Sequence, residues 1–469
     1  MKCDLLVIGS GPGGYRAAVL AALRGLSAVI VEKATWGGCC LNRGCVPKKD
    51  WYHSARILNA ARRFSKRGIA GALHGDLAQA WRHQRQVVAA VRDSYQSYLK
   101  RLGVTALSGQ ARFEDPHTVV VEPDGTRISP RAVIIATGST PHVPDGCAVI
   151  PGRILHSDLL FDEPVPEGAR VVIVGGGVVA LEFAYILRAF GREVVWLARQ
   201  DPFARADFSA PAMKLLRSAM SDAGLVPVRA GVRAVAATAA GVSVTTTGNE
   251  VMVADWVLLA TGRRPVTAGL DPARAGLNLD AGGHIAVDDE MRAAAGVYAI
   301  GDCVAGPMTA NRALYEAGVA VDNIVAPGSH KRDLARVPEA LYSAIELARV
   351  GLTEDQAEDQ GHEPGVGFAA FESSPRALGQ DAPEGYVRLI ADQESGALLG
   401  GEVLGAEAGE LIHMLTASPS VGALRRIAGA AFNHPSRCEE FQNAVETLAA
   451  KWNLGQYVFG GAGDGPRGA

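Results

Sequence analysis

Nowhere in these 469 residues is there an uninterrupted apolar run long enough to cross a bilayer, and strand-like sequence begins by Asp4, leaving no room for a signal peptide. Neither a membrane anchor nor an export leader is expected, and a cytoplasmic setting is. Charge of one sign is also missing: 46 Lys and Arg stand against 49 Asp and Glu, and a net charge of -3 offers no sign of nucleic-acid binding. Cysteine is sparse, and of the seven present those outside one motif are scattered, which fits a reducing compartment better than a disulfide-stapled secreted protein. No second Cys or His pair follows that motif at a ligand-like spacing, so no metal site is expected. What is abundant is apolar sequence: at 48% hydrophobic, the chain can form several cores and three to four domains.

The motif is Cys40-Leu41-Asn42-Arg43-Gly44-Cys45, followed by Val46-Pro47-Lys48-Lys49, where a helix can begin. Five residues of regular helix hold two Cα atoms about 7.5 Å apart, beyond the roughly 7 Å reach of a disulfide, so the segment must bend if the pair bridges. Asn42 and Gly44 permit a bend. Cys45 then lies near the positive end of a helix with two lysines close by, which favours a reactive thiolate. The alternatives are a reduced, merely buried pair or part of a zinc site.

Two glycine fingerprints flank this motif. The apolar run 4–8 enters Gly9-Ser10-Gly11-Pro12-Gly13-Gly14 and an alanine-rich helix, and the next strand ends at Glu32. Gly9 suits the tight turn, Gly11 lets a pyrophosphate approach, Gly14 lets helix and strand pack, and Glu32 can accept hydrogen bonds from a ribose. A second unit runs from the strand 170–174 through Gly175-Gly176-Gly177-Val178-Val179-Ala180 into an apolar helix and the strand 193–197. There Ala198 stands where a ribose-binding acid would be, and Arg199 and Arg205 follow, a pattern suited to the 2′-phosphate of NADP rather than to NAD. Ile134-Ile135-Ala136-Thr137-Gly138 and Leu258-Leu259-Ala260-Thr261-Gly262 look like strands ending in tight turns. Tyr298-Ala299-Ile300-Gly301-Asp302 presents an acid at a strand end that can bind the ribityl hydroxyls of FAD.

In this order, along essentially the whole chain, the motifs resemble the FAD-dependent pyridine nucleotide-disulfide oxidoreductases, closing with Asn433-His434-Pro435-Ser436-Arg437-Cys438-Glu439-Glu440 as the His-Pro…Glu segment. Pro435 holds His434 extended and can start a helix whose first turn carries Glu439 back toward the imidazole. The resemblance implies that Cys45 is the thiol beside the flavin and Cys40 the interchange thiol. It places Lys48 or Lys49 near the flavin, paired with Glu182, and assigns His434 and Glu439 to the disulfide of the other subunit of a homodimer. The fold it implies is α/β, with two Rossmann-like dinucleotide-binding domains and a C-terminal α+β dimer-interface domain. FAD binding would occupy 1–142 and 266–333, NAD(P) binding 143–265, and dimerisation 334–469, with a disordered Gly/Pro-rich tail from 460.

Gly11-Pro12-Gly13-Gly14-Tyr15 and the stretch 404–411 resemble dihydrolipoamide dehydrogenase, whereas the paired lysines, Arg199, Arg205 and the doubled acid Glu439-Glu440 resemble glutathione reductase. Val19 stands where glutathione reductases place a substrate-binding arginine, and the cysteine-free stretch 455–469 disfavours mercuric reductase and large thioredoxin reductases. Cys39, Ala344-Ile345 and Phe432 depart from the family pattern, with Cys39 read as a small buried residue. A dihydrolipoamide dehydrogenase-like enzyme acting on a lipoyl-bearing protein or small disulfide is therefore expected. The alternatives are a glutathione reductase-like enzyme, a flavoprotein electron carrier without disulfide chemistry, and a non-catalytic flavin-binding subunit. No lipoyl domain is expected before the first strand.

Overall fold

The computed structural model describes residues 1–205, 208–416 and 422–460; the side chain of Arg205 and the expected tail over 461–469 lie outside that description. The chain forms two compact units. One comprises Met1–Arg62, Ala70–Gln200 and Pro227–Arg332, and the other Arg63–Ile69, Asp201–Val226 and the described residues from Asp333 onward.

Leu5, Leu6, Val7 and Ile8 are each at most 4% exposed, so both faces of their strand are covered, the environment of an inner parallel strand. Lys2–Ile8 indeed lies inside an eight-stranded sheet, parallel to Ala28–Glu32 on one side and to Thr126–Ile135 on the other. Thr105–Ser108 extends the parallel run beyond Ala28–Glu32, and Val297–Ala299 extends it beyond Thr126–Ile135. Gln110–Asp115 and Thr118–Glu122 form an antiparallel extension on the early part of Thr126–Ile135.

A second, five-stranded parallel sheet repeats the design. Arg170–Val174 sits between Glu193–Ala198 and Trp256–Leu259, with Val228–Arg229 and Ile154–His156 at the edges. In each sheet the fingerprint strand feeds a helix, Pro12–Leu23 or Val178–Ala189, and the strand order reverses beside it. That reversal opens a crevice at the carboxyl ends of the strands, where open α/β sheets bind ligands. Short antiparallel strands Ser139–Pro141 and Arg263–Pro265 pair between the two sheets.

The other unit is built on a five-stranded antiparallel sheet in the order Glu339–Tyr342, Glu346–Gly351, Leu398–Leu404, Tyr386–Asp392, Pro364–Ala370. Phe441, Ala444, Val445 and Leu448 of the helix Glu439–Lys451 are fully buried at i, i+3, i+4 spacing and pack into the same core as Val387 and Leu389 of the sheet. No helix among the described residues is long and apolar enough to cross a membrane.

Candidate active site

Both glycine turns have the geometry a pyrophosphate needs. A Cβ on Gly9 would lie 2.4 Å from the carbonyl oxygen of Ala136, and one on Gly14 would lie 1.9 Å from that of Gly9. Gly11, between them, faces open space. In the second fingerprint a Cβ on Gly175 would lie 2.1 Å from the Ala260 oxygen, Gly177 faces open space, and Ala180 is fully buried. Each fingerprint thus abuts the backbone of an Ala-Thr-Gly turn, at Ala136 and at Ala260. Thr137 donates to the Val266 carbonyl at 2.6 Å and Thr261 to that of His142 at 2.6 Å, while Gly138 and Gly262 turn through positive φ of 71° and 105°. The residues present fit FAD and a nicotinamide nucleotide: open glycine backbone at two helix N-termini, with acids or arginines at the next strand ends.

Glu32 is buried, with one carboxylate oxygen accepting from the backbone N–H and hydroxyl of Ser10 at 2.9 and 2.7 Å and the other from the N–H of Ala34 at 2.9 Å. It braces the first glycine turn as well as ending its strand. Ala198 is fully buried at the matching position of the second sheet, and Arg199 is exposed beside it. Trp196 donates to the Gly175 carbonyl at 2.8 Å and ties the second fingerprint to its neighbouring strand.

The thiol segment bends at one residue. Gly38–Arg43 is helical, Gly44 breaks the helix with φ -137° and ψ -111°, and Cys45 opens the helix Cys45–Ala61. Asn42, expected to share the bend, stays helical and donates to the carbonyls of Trp36 and Gly38 at 2.9 and 2.8 Å. All seven cysteines are free thiols. Cys40 and Cys45 interact as a hydrogen-bonded pair with opposite tendencies. The bond from Cys40, opposed by burial and aided by the charges of Lys48 and Lys49, draws Cys45 down to about 7. Cys40 is pushed well above the usual thiol range by that same bond and by burial.

Lys48 makes an ion pair with Glu182, which is 2% exposed on the helix of the second fingerprint, and Lys49 is solvent-exposed. Cys39 is 3.7 Å from Asp158, and burial pushes its thiol up to about 12, so it is a protonated neighbour of the pair. Sequence reasoning missed what holds this side together. Arg263 donates to Asp158 at 2.7 Å and to the hydroxyl of Ser139 at 2.7 Å, and Ser139 donates to Asp302 at 2.6 Å. The only local hint was a cation directly after the Gly262 turn. Val19 is 3% exposed in the core and presents no group to solvent. A small cavity beside Leu41 is lined by Tyr15, Trp36, Arg92 and Tyr95, with the two tyrosine rings stacked 4.1 Å apart.

In the other unit His434 Nδ1 lies 2.9 Å from Glu439, whose second oxygen accepts from the Ser436 N–H at 2.7 Å. Those two bonds hold the Glu439 carboxyl below its usual range. Pro435 does not open the helix as expected: it follows a cis peptide bond in the preceding turn, and Glu439 itself is the first helical residue. Glu440, the second acid, is buried against Asn443 at 2.7 Å. Arg437, also missed, is buried over the Phe371 ring at 4.8 Å and donates to the Ala382 carbonyl, anchoring the His434 loop to the core. Among the described residues no group of three or more His, Cys, Asp or Glu is arranged to hold a metal ion.

Comparison with known proteins agrees with this geometry. The pyridine nucleotide-disulphide oxidoreductase model matches residues 3–317, and that family's dimerisation domain matches 337–445. The chain is similar to a dihydrolipoyl dehydrogenase of Thermus scotoductus, at 36% identity over 95% of this chain and 97% of that one. It is likewise similar to one of Haloferax volcanii, at 34% identity over 97% of each. Among solved structures, LpdA from Mycobacterium tuberculosis shares the fold with a TM-score of 0.85 at 24% identity, over 95% of this chain and 99% of that one. The HOCl-induced flavoprotein disulfide reductase RclA from Escherichia coli aligns with a TM-score of 0.79 at 25% identity, over 95% of this chain and 100% of that one. The chain belongs to the FAD-dependent pyridine nucleotide-disulphide oxidoreductases and carries both the nucleotide-binding and the dimerisation domains of that family.

Proposed function

We propose that this enzyme exchanges electrons between NADPH and a lipoyl dithiol or disulfide, by way of FAD and the Cys40–Cys45 pair. The observation that carries the reading is the placement of the two thiols on either side of the Gly44 break, with Cys45 opening the helix Cys45–Ala61 that also carries Lys48, the ion-pair partner of Glu182. Cys45 is suited to remain a thiolate beside the flavin, and Cys40 needs a base before it can attack. His434, oriented by Glu439, supplies that base to the disulfide of the second subunit of a homodimer. Gly9, Gly11, Gly14, Glu32 and Asp302 would hold FAD, which when bound would supply two-electron transfer between nicotinamide and dithiol.

In the direction of disulfide reduction, His434 takes the proton of Cys40, whose sulfur attacks one sulfur of the dithiolane. The dithiolane S–S bond breaks, its other sulfur leaves with the proton returned by His434, and a mixed disulfide joins Cys40 to the substrate. Attack by the Cys45 thiolate on Cys40 then forms the Cys40–Cys45 bond and releases the second substrate sulfur as a thiolate, which takes a proton drawn from solvent through His434, so the substrate gains two electrons and two protons in all. Dihydrolipoyl oxidation runs through the same bonds in reverse. NADPH is favoured by Ala198 at the strand end and by Arg199 after it, since arginine suits a 2′-phosphate and a carboxylate there would repel it. Val19 in place of a cation argues against glutathione. Steady-state assays with lipoamide, a lipoylated carrier protein and oxidised glutathione, each with NADH and NADPH, test the reading. A lipoyl substrate should give the highest specificity constant and NADPH should exceed NADH; preference for glutathione would overturn the substrate.

A further inference from the structure

Asp302 sits on a turn whose Cys303 carbonyl accepts from the Ile285 N–H at 2.8 Å and whose Val304 N–H donates to the Gly301 carbonyl at 2.9 Å. Gly301–Cys303 is a single helical turn after the strand Val297–Ala299, entered through a glycine with φ +70°, and its direction is set from outside. The side chains that set it come from the next helix, Ala310–Val325. Arg312, 1% exposed, donates to the carbonyls of Gly301 and Val304 at 2.5 and 2.8 Å and to that of Ala305 at 3.2 Å. Glu316, one helical turn on and fully buried, accepts from the Gly301 N–H at 2.7 Å and pairs with Arg312 at 3.3 Å. Arg332 closes the cluster with a 3.4 Å contact to Glu316. The chain leaves room for the guanidinium, because a Cβ on Gly306 would lie 2.2 Å from Arg312 Nη1.

We infer that Arg312, backed by Glu316, is a positioning residue for flavin binding: it fixes the 301–305 turn so that Asp302 is held where the ribityl chain of FAD can reach it. The inference rests on the assignment of Asp302 to the flavin. Three carbonyls converging on one guanidinium set the path of the turn more tightly than solvent could, and the Glu316 carboxylate fixes both the guanidinium and the first N–H of the turn. Ser139 donates to the Asp302 carboxylate at 2.6 Å, so the side chain is held as well as the backbone that carries it. None of these residues needs to touch the flavin.

A thermodynamic cycle on the full-length protein tests this. FAD is stripped, and its dissociation constant for the apoprotein is measured by flavin fluorescence for wild type, Arg312→Met, Asp302→Asn and the double variant, with Arg312→Lys alongside. Loss of charge-assisted bonds at this turn should weaken FAD binding about 10- to 100-fold in Arg312→Met, with Arg312→Lys recovering much of it. In the Asp302→Asn background the same Arg312 change should have little further effect, since the two act in series. An equal loss in both backgrounds would overturn the inference and leave Arg312 a general stabiliser of the fold. Unchanged affinity in Asp302→Asn alone would refute the flavin assignment of that acid and remove the basis of the inference. If Arg312→Met does not fold, Arg312→Lys takes its place in the cycle, and additive losses would again count against the proposal.

Discussion

Replacing Cys40 with alanine, and in parallel with serine, isolates one hydrogen bond to the Cys45 thiolate. That bond is the largest influence drawing Cys45 from 9.0 to about 7, ahead of the Lys48 and Lys49 charges and against the opposing effect of burial. A hydrogen bond to a charged acceptor contributes about 1.5–3 kcal/mol. At about 1.36 kcal/mol per pKa unit, losing it moves Cys45 upward by roughly one to two units. Because the folded pKa is depressed, the thiolate is present above that pKa and is lost as pH falls through it. In Cys40→Ser, where a hydroxyl still donates, the loss should fall near 7; in Cys40→Ala it should fall at about 8–9. At pH near 7.5 the thiolate fraction then drops from about three-quarters to about a quarter or less. Titration of the thiolate-to-flavin charge-transfer absorbance in the two purified variants reads this directly. A midpoint in Cys40→Ala equal to or below that in Cys40→Ser would refute the reasoning.

Three further outcomes are expected. Lys48→Met separates Glu182 from that ion pair and should destabilise the protein by about 3–5 kcal/mol, while Lys48→Met with Glu182→Gln recovers most of the loss, as denaturant midpoints would register. His434→Gln should slow thiol-disulfide exchange by about 10²- to 10⁴-fold in rapid-mixing experiments while flavin reduction by the nucleotide stays nearly intact. Mixed with Cys40→Ser, it should recover activity through heterodimers holding one intact site, and no recovery after confirmed subunit exchange would count against shared sites. Replacing Arg199 and Arg205 with alanine should raise the KM for NADPH about 10- to 100-fold and leave that for NADH little changed, and parallel shifts for both nucleotides would contradict a 2′-phosphate contact.

The sequence by itself determined those features whose cause lies within a few residues. Gly9, Gly11 and Gly14 announced a strand, a turn and a helix because each glycine meets a constraint of that short segment, and in the fold a Cβ at Gly9 or Gly14 would strike neighbouring backbone while Gly11 faces open space. The need for a bend between Cys40 and Cys45 followed from helix rise alone, and so did the placing of Cys45 near a helix N-terminus. His434 and Glu439 could be paired because five positions and one helix start separate them. Tertiary structure decided what depends on neighbours distant in the chain. Lys48 and Lys49 occupy adjacent positions on one helix, and packing against the helix that carries Glu182 makes Lys48 its ion-pair partner. Arg263 meets Asp158 across 105 positions, and Arg312 grips a turn on a different element, so neither leaves a periodic trace in the sequence. Gly44 rather than Asn42 takes the bend, and Glu439 rather than Pro435 opens the last long helix, because the surrounding hydrogen bonds decide among locally permitted conformations. Backbone stereochemistry restricts each short segment to a few shapes, and burial with long-range pairing selects one of them.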